Sequence, residues 1–109
     1  MTFGRNKYSA KKTGGYDSKR ELKRGIALRA LEQAGQIFDL REQVRYDLIP
    51  KQMDGKKCAE RAVYYVADFV YRLPSGETVV EDVKGMRTRE YVIKRKLMRY
   101  IHNIAIKET

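Results

Sequence analysis

Two runs of β-branched and aromatic residues dominate the hydrophobic pattern of this chain. From Ala62 to Tyr71 both alternating sets are apolar: Val63, Tyr65, Ala67, Phe69 and Tyr71 on one side, Ala62, Tyr64, Val66 and Val70 on the other. A strand apolar on both sides is expected to be central in its sheet and covered on both faces. Thr78 to Lys84 forms a second run, and Pro74-Ser75-Gly76 separates the two. A three-residue loop with glycine third predicts a hairpin closed by a type I turn and a G1 bulge, with Gly76 left-handed. That turn sets Leu73 opposite Glu77 and, counting back, Asp68 opposite Asp82. Directly opposed side chains share a face with Cβ atoms about 4.5–5.5 Å apart. Lys84 follows Asp82 by two residues and joins that face.

Asp68 is the break in the apolar pattern. Two carboxylates meeting in a sheet interior cost desolvation and repulsion unless a cation or a proton compensates. Lys84 supplies one positive charge and leaves the trio net negative. A divalent ion would balance the remainder, because hard cations such as Mg²⁺ take one or two carboxylates together with water and phosphate oxygens.

Around this hairpin the chain organises as follows. Met1 to Tyr16 is rich in Lys, Arg, Gly, Ser and Thr without an apolar period, and reads as a flexible basic arm carrying Lys7, Lys11 and Lys12. Ser18 to Ala34 reads as a helix, with Ser18 and Glu21 as a capping box and Gly35 as its stop. Its apolar stripe is Leu22, Ile26, Ala30 and Ala34, flanked by Ala27 and Leu31. Gly25 inside it implies close packing or room for a ligand. A connector, Gln36 to Glu42, leads to a half-buried strand from Gln43 to Ile49, in which Val44, Tyr46 and Leu48 alternate with polar residues. Pro50 to Glu60 is a polar connection with Asp54-Gly55 as its turn. After the hairpin, Ile93, Leu97, Tyr100 and Ile101 give the spacing of an amphipathic helix from about Thr88 to His102. Arg95, Lys96 and Arg99 occupy its other side. Ile104 to Lys107 is a short last strand, and His102 falls at a helix end where the dipole favours it. The expected order is α-β-β-β-α-β: an α/β fold whose mixed central sheet is flanked by helices.

Composition narrows the function classes. The 109 residues suffice for one domain with a modest core, and 42% are hydrophobic. No apolar run approaches the ~18 residues of a membrane span, and no secretory leader is visible. The single Cys58 excludes an intrachain disulfide and fits a reducing, cytoplasmic compartment. A formal net charge of +10 points to a polyanionic partner, of which nucleic acid is the commonest.

Asp68, then Asp82-Val83-Lys84 on the facing strand, within that element order, resemble the PD-(D/E)XK nuclease superfamily. That superfamily includes many restriction enzymes and several Holliday-junction resolvases. The segments YDSKRE, DLIPKQ, ERAVYYVADFVY, VVEDVKG and TREYVIKRKL resemble a family of small phage-encoded members, over nearly the whole chain after Tyr16. The resemblance implies a restriction-endonuclease-like core over residues 17–109. It also implies a Mg²⁺-dependent endodeoxyribonuclease, with Mn²⁺ able to substitute, acting in the host bacterial cytoplasm on branched DNA in phage recombination or replication. It makes Asp68 and Asp82, with the main-chain carbonyl of Val83, the metal ligands, and Lys84 the residue that orients the attacking water. Glu21 matches a further ligand that many members carry on the first helix, although a capping box explains it equally well. Glu81 alternates to the opposite face and stands outside this set. Ala67 stands where the motif has Pro.

Lys11, Lys12, Lys19, Arg20, Lys94, Arg95, Lys96 and Arg99 are the expected phosphate contacts, and a homodimer is expected because cutting two strands needs two sites. Two alternatives stay open: a non-catalytic basic nucleic-acid-binding protein on the same scaffold, and a small ribosome-associated or RNA-binding protein.

Overall fold

The computed structural model describes residues 14–84 and 86–109. Helix α1 spans Gly14–Gln33, followed by strand β1 at Phe38–Ile49 and two short strands, β2 at Gln52–Asp54 and β3 at Lys57–Glu60. Strand β4 runs Val63–Arg72, β5 Thr78–Asp82, helix α2 Arg89–His102 and β6 Lys107–Glu108. The fold is α/β with a mixed four-stranded sheet in the order β1-β4-β5-β6. β1, β4 and β5 form an antiparallel meander, and α2 carries the chain across to β6, which pairs parallel with β5.

The core lies on both faces of the sheet. Leu28 of α1 packs with Ile37, Phe69 and Tyr71 on one face. Tyr91 and Met98 of α2 pack with Leu48, Tyr65, Ala67, Val70 and Val80 on the other. β4 is central, as expected, and feeds both cores. Tyr65, Ala67 and Val70 serve one core while Phe69 and Tyr71 serve the other, so the alternation changes at Asp68. Gln43, opposite Asp68 by the count of the β1–β4 register, has a left-handed backbone with φ 54°. Such a residue turns the strand locally and re-aims side chains. The first half of β4 departs from the expected cover: Tyr64 and Val66 remain exposed.

Several boundaries move for physical reasons. β1 begins at Phe38, five residues before the expected strand, because left-handed Asp39 and Gln43 break the period-2 pattern until after Gln43. The connection Pro50 to Glu60 contains the β2–β3 hairpin around the anticipated Asp54-Gly55 turn, in strands too short and polar to show a period. The last strand is Lys107–Glu108 rather than Ile104–Lys107, since Ile104 and Ile106 pack against the α2-side core instead. α1 starts at Gly14, so Ser18 lies inside the helix rather than at its cap, and Gly14 to Tyr16 are helical rather than part of an arm. The rest of that arm, with Lys7, Lys11 and Lys12, lies outside the described residues. Gly35, with φ 76°, does stop the helix: its N–H donates to the Glu32 carbonyl and that of Gln36 to the Leu31 carbonyl.

Both helices bury a different face from the one their apolar spacing suggests. On α1, Leu22 is 60% and Ile26 56% exposed, whereas Gly25 and Leu28 face the sheet. A Cβ at Gly25 would stand 3.4 Å from the Phe69 ring, so the glycine brings the helix down onto that ring by close packing. The same face carries Arg24, which reaches Glu81 (Nη2 to Oε1, 3.0 Å). On α2, Thr88 caps the helix by accepting from Tyr91 N–H at 3.1 Å. Tyr91 and Met98 are buried, Leu97 is half-buried, and Ile93, Tyr100 and Ile101 are exposed.

Candidate functional site

The hairpin turn is built as its sequence requires. Leu73 N–H donates to the Glu77 carbonyl and Gly76 N–H to the Leu73 carbonyl, both at 2.8 Å, with Gly76 at φ 93°. The pairs run Arg72–Thr78, Tyr71–Val79, Val70–Val80 and Phe69–Glu81, where pairing ends; the count carried one step on faces Asp68 with Asp82. The Asp68 side chain fastens this end of the hairpin, its Oδ2 accepting from Val83 N–H at 2.9 Å. Asp82 is 2% exposed, and Lys84 Nζ lies 2.6 Å from its Oδ2. Among the described residues that buried oxygen has this ion pair and no further hydrogen bond. The trio therefore does converge. Burial raises the Asp68 pKa above the ordinary carboxylate range, and the adjoining Asp82 carboxylate adds to the shift.

The segment Asp82–Lys84 leaves the β4–β5 ladder, yet its backbone is held on its other side. Thr109 N–H donates to the Asp82 carbonyl and Lys84 N–H to the Thr109 carbonyl, each at 3.0 Å. Arg20 Nη1 donates to the Lys84 carbonyl at 3.0 Å. The Lys84 ammonium sits 4.1 Å from the Tyr91 ring centroid. Tyr91 is fixed in turn by its hydroxyl, which donates to Glu108 Oε2 at 2.7 Å. Arg87 and Arg95 also pair with Glu108. Burial, and then the charge of Asp82, push the Tyr65 hydroxyl pKa up. That hydroxyl is buried without a hydrogen-bond partner of its own.

Glu21 takes a different position. With Ser18 inside the helix, its capping role is removed, and it lies beside Gly25 and Leu28 on the sheet-facing side of α1. Its Oε2 accepts from Gln43 Nε2 at 2.9 Å. Burial, then the charges of Asp82 and Glu42, raise its pKa. It opens onto a neighbouring cavity of about 280 Å³ shared with Arg29 and Glu42, while Asp68, Asp82 and Lys84 line another of about 290 Å³. Glu81 is fully buried on the opposite face, as its alternation requires. It accepts from Arg24, from Tyr71 Oη at 2.7 Å and from Thr109 Oγ1 at 3.2 Å. Burial alone would raise its pKa, but these donors outweigh that and hold it below the usual value. Glu81 is a structural ion-pair residue.

The basic residues divide. Lys19, Lys96 and Arg99 are exposed. Arg20 is drawn to the Lys84 and Thr109 carbonyls. Lys94 pairs with Glu90 at 2.9 Å and lines the carboxylate cavity. Arg95, Lys96 and Arg99 line a separate, larger cavity of about 710 Å³ with Tyr100 and Ile106. His102 Nε2 contacts the Asp47 carbonyl at 2.7 Å, a fixed contact beyond its place at the helix end.

Among the described residues no three His, Cys, Asp or Glu side chains form a set that could hold a metal ion unaided. The donors that fit one are Asp68 and Asp82, and the fit rests on two carboxylates lining one cavity with Lys84 as the cation paired to Asp82. Tyr64, Tyr65, Tyr91 and Glu108 were not singled out as site residues from the sequence; Tyr64 and Tyr65 belong to the hairpin's own first strand, and only the fold brings Tyr91 and Glu108 to it. Among the described residues no helix is long and apolar enough to cross a membrane.

A family model described as "Protein of unknown function (DUF1064)" matches residues 5–108. The chain belongs to this family. No curated protein and no solved structure matches it.

Proposed function

We propose that this member of the family is a metal-dependent endodeoxyribonuclease of the PD-(D/E)XK type, with Mg²⁺ as its ion and Mn²⁺ able to substitute. The observation that carries the reading is the hairpin trio: buried Asp82 with Lys84 Nζ 2.6 Å from its Oδ2, and Asp68 lining the same cavity. Two acids for one lysine need either a proton, which the raised pKa of Asp68 allows, or a cation, and an ion in the shared cavity meets that need. The element order supports the reading too, since removing the short β2–β3 hairpin leaves α-β-β-β-α-β with the trio at the second hairpin.

In this reading Asp68 and Asp82 hold the ion, and the Val83 carbonyl completes the protein's share. An ion held there would supply polarisation of the phosphodiester and an activated water. Lys84 exchanges its contact with Asp82 for a phosphate oxygen or the attacking water, and the Tyr91 ring keeps the ammonium over the site. Glu21 acts from the adjacent cavity through its charge, held by Gln43. Lys94 faces the same cavity as the trio and contacts the DNA backbone there, and exposed Lys19, Lys96 and Arg99 extend that contact. Cutting both strands of a branched DNA takes two such sites, which a symmetric dimer provides.

A second reading has one observation in its favour: the absence, among the described residues, of a three-carboxylate set. It makes the chain a nucleic-acid-binding protein that does not cut, with Asp82–Lys84 a structural pair. Plasmid, single-stranded, four-way-junction and RNA substrates, incubated with Mg²⁺ or with EDTA, separate the two. The nuclease reading expects cleavage that EDTA and Asp82→Asn both abolish while metal-free binding survives. Binding without cleavage in either Mg²⁺ or Mn²⁺ refutes it.

A further inference from the structure

The carboxylate cavity has an aromatic wall that hydrolysis alone does not require. Tyr64, Val66 and Asp68 of β4 line the same cavity as Asp82 and Lys84. Along this strand Tyr65, Ala67, Phe69, Val70 and Tyr71 are buried, yet Tyr64 is 42% and Val66 36% exposed. At a strand rise of about 3.3 Å per residue, Tyr64 lies roughly 13 Å from Asp68. Two cations attend its ring: the Arg45 guanidinium 4.0 Å from the centroid and Lys94 Nζ at 5.9 Å. Lys94 itself lines the cavity.

We infer that Tyr64 is a stacking platform for an unpaired base, so that the substrate is a strand whose nucleotide beside the scissile phosphate has left the helix. This rests on the nuclease reading and gives it a substrate class. A base in continuous duplex has both faces covered by its neighbours, so a side chain can stack on it only after it is extruded or where the strand is single. An exposed aromatic ring beside an apolar valine offers a face to such a base, while Arg45 and Lys94 stand where the flanking phosphates would run. A site made only for duplex backbone needs cations and hydrogen-bond donors and gains nothing from Tyr64 and Val66.

The test is binding in EDTA, which is independent of cleavage, using the full-length protein and oligodeoxynucleotides carrying 2-aminopurine, either single-stranded or fully paired. Tyr64→Ala is expected to weaken single-strand binding about tenfold or more, the loss that follows removal of one base–aromatic stack, and to remove the quenching of 2-aminopurine. Tyr64→Phe keeps both. Duplex binding stays within about twofold for either variant, because phosphate contacts carry it. Circular dichroism checks the fold, and the exposed position of Tyr64 lets both variants fold. Equal losses on single strand and duplex, no loss on either, or a wild-type protein that binds neither would overturn the inference. A protein that passes this test but cuts nothing in Mg²⁺ refutes the nuclease reading alone; one that cuts DNA with Tyr64→Ala indifferent to strandedness refutes the platform alone.

Discussion

Replacing Asp68 by Asn probes the charge balance at the centre of the molecule. The amide keeps an oxygen to accept from Val83 N–H, the bond that Asp68 Oδ2 makes at 2.9 Å, while one of two facing charges disappears. Opposed carboxylates about 5 Å apart repel by about 3 kcal/mol at an effective dielectric constant of about 20. Lys84, 2.6 Å from Asp82, offsets part of that, so the metal-free variant should be more stable by about 1–3 kcal/mol in alkaline buffer. The gain depends on pH in a defined direction. Burial and Asp82 raise the Asp68 pKa in the folded protein, so the folded state binds that proton more tightly than the unfolded chain. Stability of the native sequence therefore falls as pH rises from about 4 through the raised value, and the cost is complete above it. Urea denaturation should show little difference at about pH 4 and the full difference at about pH 9, with melting raised by at least about 4 °C. Mg²⁺ should shrink or cancel that gain. It stabilises the native protein by about 2.7 kcal/mol at a hundred times its Kd, and the variant, with one ligand gone, responds far less. A stability gain independent of pH, or equal Mg²⁺ responses, would refute the account of a carboxylate pair awaiting a cation.

Other expectations test the packing and the surface. Leu28→Ala should cost about 3 kcal/mol in denaturation, because Leu28 is 0% exposed, whereas Leu22→Ala on the open face of α1 should change stability by less than about 0.5 kcal/mol. Arg24→Ala leaves Glu81 buried without its cation and should cost about 3 kcal/mol, measurable as a lowered urea midpoint. Glu108 has its pKa lowered to about 2, chiefly by Arg87 and then by the Tyr91 hydroxyl, with burial opposing. Its contribution is present above its ordinary value of 4.5 and lost as pH falls through about 2. Glu108→Gln should flatten acid unfolding over that window. Lys96→Ala with Arg99→Ala should reduce the slope of log binding constant against log salt by up to about 2, and an unchanged slope would remove both residues from the DNA contact.

The part of the molecule legible in the sequence is the part decided by neighbours in the chain. Pro74-Ser75-Gly76 sets its own turn, the turn sets the register, and the register brings Asp68 to Asp82 and sends Glu81 to the other side. Thr88 caps the start of α2 with its side-chain oxygen and Gly35 stops α1 with local backbone bonds, so both boundaries were readable. What only the tertiary structure decided is which way each element faces. Apolar spacing along α1 favoured Leu22 and Ile26, but a glycine that admits the Phe69 ring and an arginine that reaches buried Glu81 turned Gly25 and Leu28 inward. On α2 the sheet offered room for Tyr91 and Met98 and left Tyr100 outside. The left-handed Gln43 reaches Glu21 and lies opposite the point where β4 changes faces, and no period in the sequence announces it. Burial of a face depends on what stands across from it, often dozens of residues away in the chain, and that information enters only when the layers meet.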